Sequence, residues 1–205
     1  MTSPSRNSIE MIENFEIGGV SNYICHPIWP GGSSGVTVGV GYDLGYATSQ
    51  QIAADWSHLP KNTSIKLQEL AGIRGAKCQE LTQKNMDIEI SLNDAISVFE
   101  TINVPRVVWQ VASSFQNTFL ISDDSFGALV SLVFNRGASM VDTQPNNRLE
   151  MRQIRDAMAA QEFAAVPDLI RSMKRLWQGT GLAGLLTRRD AEAALFERGL
   201  ASQQS

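Results

Sequence analysis

The chain has 205 residues, 43% of them hydrophobic and 19% charged, and a formal net charge of −4. That length supports a substantial core, in one domain or two closely packed lobes. No apolar run approaches the roughly 20 residues of a bilayer span, and the acidic balance gives no general pull towards nucleic acid or anionic lipid. Neither a membrane span nor a nucleic-acid partner is therefore expected.

The opening residues, Met1-Thr-Ser-Pro-Ser-Arg-Asn7, lack the apolar core of a secretory signal, so no signal peptide is expected. Residues 7–16 read as a short helix, with Asn7 as cap and Glu10 reciprocating three positions on. Ile9, Ile12 and Phe15 share a stripe that specifies the buried face. Glu16 then stands where Gly18 and Gly19 end the helix. A carboxyl beside a buried phenylalanine is partly desolvated, which suits a proton donor.

The next stretch is a glycine-rich ribbon. Tyr23 and Ile24 read as strand positions, and residues 27–35, with Pro27, Pro30 and the run Gly31-Gly32-Ser33-Ser34-Gly35, read as a loop. Val36, Val38 and Val40 alternate with Thr37, Gly39 and Gly41, giving one apolar face and one nearly bare. A bare face topped by Thr37 lets a bulky ligand approach the backbone. Asp43 closes the stretch. Two carboxylates across a gap, Glu16 and Asp43, with the Thr37 hydroxyl between them, form the constellation that glycosidic hydrolysis requires.

From Thr48 the pattern turns helical. Residues 48–56 form one helix that stops before Pro60, residues 61–72 another closed by Gly72, and the stretch up to Ile90 is poorly defined. Ser91 opens a longer segment carrying Ile96, Phe99 and Ile102, which Pro105 either kinks or restarts. Residues 122–136 read as a helix buried nearly all round, capped by Ser122 or Asp123 and stopped by Gly137, with Asn135 and Arg136 as polar exceptions. Amphipathic stretches follow over about 147–159 and 167–177, and Thr187 is placed to cap a last helix bearing Arg188 and Arg189. Cys25 and Cys78 lie 53 residues apart and make no disulfide framework.

Four pieces in order resemble a known family. Phe15-Glu16 with Tyr23, followed by Gly35-Val-Thr37-Val-Gly39-Val-Gly41, is similar to the catalytic corner of the phage-type lysozymes, the endolysin muramidases. The run Ala128-Leu-Val-Ser-Leu-Val-Phe-Asn-Arg-Gly137 resembles their central buried helix. Arg171 to Trp177, then Arg188-Arg189 through Phe196, resembles their C-terminal lobe. The resemblance holds over about 15–46 and 91–198. Where the standard pattern has an aspartate nine residues after the glutamate, this chain has Cys25, and the histidine after the last glycine is Tyr42. Both departures point to the pesticin-like muramidase branch, whose threonine and following aspartate match Thr37 and Asp43.

The resemblance implies an α+β, mainly α, lysozyme-like fold: one catalytic domain over 1–205, with a small β-ribbon lobe at about 7–90 and a larger helical lobe at about 91–199. It implies a peptidoglycan muramidase that cuts the β-1,4 bond between N-acetylmuramic acid and N-acetylglucosamine and uses this for bacterial cell-wall lysis, with no cofactor. Glu16 would protonate the leaving oxygen, while Asp43 and Thr37 position the water and stabilise the transition state. An inverting outcome is implied, with carboxyl groups about 6.5–9.5 Å apart. Tyr23 and Asn135 are the substrate-binding candidates, with Trp29 a further cleft-lining one. Arg188, or its neighbour Arg189, and Cys25 are supporting candidates. Peptidoglycan strands are the expected partner, with an immunity or delivery protein a second class, and action in the periplasm or at the wall would follow non-classical delivery.

Two alternatives remain at this stage. Cys25 at the usual aspartate position keeps open a catalytically inactive lysozyme-fold module that binds peptidoglycan or a protein, whereas Asp43 argues for the enzyme. Cys25, His26, Asp43 and His58 include metal-ligand types, but no HExxH or paired Cys-x2-Cys supports zinc, so no metal is expected.

Overall fold

The computed structural model describes residues 2–203. These residues are mainly helical, with one small antiparallel sheet of two strands among them. The chain divides into two compact units: residues 13–104, and the chain up to Ile12 together with that from Pro105 onward.

Helix α1 (Arg6–Ile17) opens the fold. Its N-terminus is held by Ser5, whose hydroxyl accepts from the Ser8 backbone N–H at 3.2 Å, so the cap lies two residues before the expected Asn7. Ile12 is fully buried, while Ile9 and Phe15 are half-buried. Gly18 and Gly19 leave the helix at φ of 65° and 96°, in the left-handed region where a side chain would be strained.

In the 13–104 unit, β1 (Thr37–Val38) and β2 (Tyr42–Asp43) form the ribbon, with Thr37 opposite Asp43 and Val38 opposite Tyr42. Val36, Val38 and Val40 are buried, as their alternation implies. Tyr23 and Ile24 do not form a strand; a short turn at Val20–Asn22 precedes them, and the third ribbon contact is a bridge between Ile28 and Thr37. Helix α2 (Ser49–Asp55) begins with a full capping box between Thr48 and Gln51. Helix α3 (Lys61–Glu69) follows Pro60 and packs on α2. Helix α4 (Lys77–Lys84) occupies the stretch the sequence leaves undefined, and Cys78 is its one buried residue. Ser91 caps α5 (Leu92–Val98), its hydroxyl accepting from Asp94 N–H.

This unit runs on to Val104 rather than ending near residue 90. Within it α5 packs against the ribbon at Gly39, where a Cβ would stand 3.0 Å from the Trp56 ring and 3.3 Å from Ala95 of α5. The backbone then widens into a π-helical turn at Phe99–Asn103, directly ahead of Pro105. Proline lacks the N–H and crowds the preceding turn, and a local π-bulge relieves both.

The other unit contains α6 (Val104–Ser114) from Pro105 on, α7 (Asp123–Arg136), α8 (Leu149–Ala160), α9 (Val166–Ser172) and α10 (Ala183–Ser202). Every residue of α7 from Ser125 to Val133 is buried, and α10 packs along both α7 and α9. Ser122 caps α7, and Gly137 stops it by donating its N–H to Val133 O. The first residues of the chain join here: Ser5 N–H donates to Asp123 O at 3.2 Å, and Gly127 leaves room for buried Ser8. Helix α10 starts four residues before Thr187, which is an interior residue donating to Ala183 O.

No helix among the described residues is long and apolar enough to cross a membrane.

Candidate active-site cleft

Within the 13–104 unit, Glu16, Tyr23, His26 and Thr37 line one cleft of about 80 Å³, together with Asn22 and the Val38–Gly39 backbone region. Its enclosed part has room for a few waters, far below the roughly 300–1,000 Å³ of a site that engulfs a drug-sized ligand. Glu16 arrives from the last turn of α1. The two glycines that follow reverse the chain, and the Asn22 side-chain amide donates to Gly18 O, tying off that turn. Thr37 arrives from β1 and is only 8% exposed.

The segment that carries Tyr23 and His26 into the cleft is held by cross-ties to residues 88–90. Tyr23 Oη donates to Ile90 O at 3.0 Å, Ile90 N–H to Cys25 O at 2.9 Å, and His26 Nδ1 lies 3.1 Å from Ile88 O. Burial pushes the Tyr23 phenol up to about 12, so it is a neutral donor at any working pH.

Asp43 is placed differently from Glu16 and Thr37. It is not among the residues that line the cleft. Gly35 N–H donates to both its carboxylate oxygens, at 3.0 and 3.1 Å, and Gly45 N–H to Oδ1 at 2.8 Å. It thereby caps the short turn Leu44–Tyr46 and staples the ribbon's two ends. Thr37 and Asp43 are nonetheless direct partners in the ribbon register.

The remaining candidates sit elsewhere. The Trp29 indole N–H donates to Ser34 O and braces its own loop, outside the cleft lining. Cys25 is not among the lining residues; its carbonyl accepts from Ile90 N–H, and neither its thiol nor that of buried Cys78 is in a disulfide. His58 stands 3.5 Å from Asp94 and beside Trp56, so it is not grouped with Cys25, His26 or Asp43. Among the described residues no set of three histidine, cysteine or acidic side chains could hold a metal.

In the helical unit, Asn135 is exposed and its Oδ1 accepts from Arg189 Nη2 at 3.1 Å. Arg188 and Arg189 are 3% and 0% exposed, so the pair is buried in the core and is not a solvated helix face. Both converge on fully buried Glu192. Arg188 Nε donates to its Oε1 at 3.2 Å and Arg189 Nη2 to the same oxygen at 2.9 Å, while Ser131 Oγ donates at 2.7 Å. Burial pushes the Glu192 carboxyl up, against the pull of the two guanidiniums. The Arg189 guanidinium also lies 5.7 Å from the Trp177 ring centre, within cation–π range.

Sequence reasoning assigned His26 no role beyond a metal ligand, and Asn22 none. The signal for both lay in position: they flank Tyr23 and Cys25 in the turn between Glu16 and the ribbon.

Residues 15–113 match the model of a family described as a domain of unknown function (DUF8812). That span contains every cleft residue named above. No curated protein matches the chain.

Proposed function

We propose that the protein is a peptidoglycan muramidase of lysozyme-like fold, hydrolysing the β-1,4 bond between N-acetylmuramic acid and N-acetylglucosamine in bacterial cell-wall lysis. The observation that carries this reading is that Glu16 and Thr37, distant in sequence, line the same small cleft. Glu16 donates its proton to the leaving glycosidic oxygen. The Thr37 hydroxyl and Asp43, which face each other in the ribbon register, position the attacking water, and Asp43 supplies the negative charge that favours the oxocarbenium-like transition state. Tyr23 shapes the wall against which a sugar rests. Of the remaining candidates, Cys25 belongs to the same unit as the cleft, whereas Asn135 and Arg188 belong to the helical unit, where they are tied to Arg189 and Glu192. The substrate is a peptidoglycan strand reached in the periplasm or at the wall after non-classical delivery, with an immunity or delivery protein as a second partner.

A second reading is favoured by one observation. The Asp43 carboxylate is already committed to three backbone N–H bonds, as it would be in a lysozyme-fold module that binds peptidoglycan or a protein without cutting. The two separate on purified peptidoglycan. The enzyme releases reducing ends, and Glu16→Gln lowers that rate by about 10²–10⁴-fold. The binding module releases none, with or without Glu16.

A further inference from the structure

The cleft that holds Glu16 and Thr37 also holds His26, to which the reaction above gives no part. The side chain is half-buried, and Nδ1 lies 3.1 Å from the carbonyl oxygen of Ile88. A carbonyl can only accept, so Nδ1 carries the proton and Nε2 is the acceptor of the neutral ring. The tether is firm, because the Ile88–Ile90 segment is bonded to Tyr23 and Cys25 as well. A ring of fixed tautomer that lines the same cleft as a carboxyl and a hydroxyl supplies the acceptor that an acid–base pair needs. The other titratable groups lining the cleft are Glu16 and Tyr23, and the phenol of Tyr23 stays neutral. Asp43, the alternative base, has its carboxylate bound to Gly35 and Gly45.

We propose that His26 is the base partner of Glu16, taking the proton of the nucleophilic water at Nε2; this rests on the muramidase reading. The water oxygen bonds to the anomeric carbon as its proton passes to Nε2. The bond from that carbon to the leaving oxygen breaks, and Glu16 delivers its proton to that oxygen. The imidazolium then returns a proton to solvent and the Glu16 carboxylate takes one up, which restores both groups.

Two substitutions separate this role from a structural one. His26→Asn puts an amide nitrogen where Nδ1 stands, keeping the bond to Ile88, but has no atom at Nε2. His26→Gln reaches the Nε2 position and gives up the tether. With soluble peptidoglycan fragments as substrate, His26→Asn should lose about 10²–10⁴-fold in kcat with KM and Tm little changed, and added imidazole should restore part of the rate. If His26→Asn does not fold, the imidazole rescue is read on His26→Ala, whose truncated side chain leaves room for the added ring. Wild-type turnover in His26→Asn, or a loss that follows Tm and is not rescued, overturns the assignment and leaves His26 a tether. An active wild type with either result tests His26 alone, whereas a wild type that releases no reducing ends overturns the muramidase reading as well.

Discussion

The backbone N–H of Gly35 donates to both carboxylate oxygens of Asp43, closing the ribbon where its two ends meet. The contact leaves no space for a side chain: a Cβ on Gly35 would overlap Asp43 Oδ1 and the Gly45 backbone. Gly35→Ala should therefore destabilise the fold by about 1–3 kcal/mol, the usual cost of overpacking. Asp43→Asn, which weakens charge-assisted bonds but keeps an acceptor, should cost about 1–3 kcal/mol. Urea unfolding of the two variants checks both values.

Buried Glu192 pairs with two buried guanidiniums, with Arg189 Nε 2.8 Å from its Oε2 although out of line for a hydrogen bond. Removing one partner of such a cluster strands the others without water. Glu192→Ala should lose about 3–5 kcal/mol, read as a lowered urea midpoint. A loss below about 1 kcal/mol would mean that water reaches the arginines.

Tyr42 is 4% exposed and its hydroxyl donates to Asp55 Oδ2 at 2.6 Å, with the ring edge-on to Trp56. Tyr42→Phe keeps the ring contact and removes a donor from a buried carboxylate. The expected cost is about 1–3 kcal/mol, with near-ultraviolet circular dichroism from Trp56 largely preserved.

Asp124 supplies a pH test. The Arg198 guanidinium above all, and the Ser5 hydroxyl, hold its carboxyl below the usual range against the opposing effect of burial. The folded pKa is thus below the unfolded one. The stabilisation is present above the unfolded value near about 3.9 and is lost as pH falls through the folded value. Between about pH 5 and pH 2, the wild type should lose roughly 1 kcal/mol more than Asp124→Asn. Parallel curves for the two proteins would contradict the pairing.

Much of the helical framework was legible because its signals are local. Thr48 with Gln51, Ser91 and Ser122 cap the helices the sequence assigns to them, and the even burial of α7 follows from apolar residues on every face. Helix α4 has no legible stripe because Cys78 and Leu81 are its only apolar residues and the other six are polar. Helix α10 begins at Ala183 without a side-chain cap, so Thr187 was a false start signal. The depth of Arg188 and Arg189 depends on Ser131 and Glu192, one of them more than fifty residues away, and no window on α10 reveals it. In the site, the meeting of Glu16 with Thr37 followed from the order of helix end and ribbon. Asp43-Leu-Gly45 reads equally as a turn in which the aspartate accepts from the residue two on, and the structure makes that bond. The tie between His26 and Ile88 spans 62 residues and had no sequence signal.

The most direct test of the central claim is digestion of purified peptidoglycan by wild type and Glu16→Gln, followed by borohydride reduction and mass spectrometry. The account predicts fragments ending in reduced muramic acid from the wild type and almost none from Glu16→Gln. Anhydro-muramic ends would replace hydrolysis by a transglycosylase reaction, and intact glycan from both proteins would contradict the enzyme altogether.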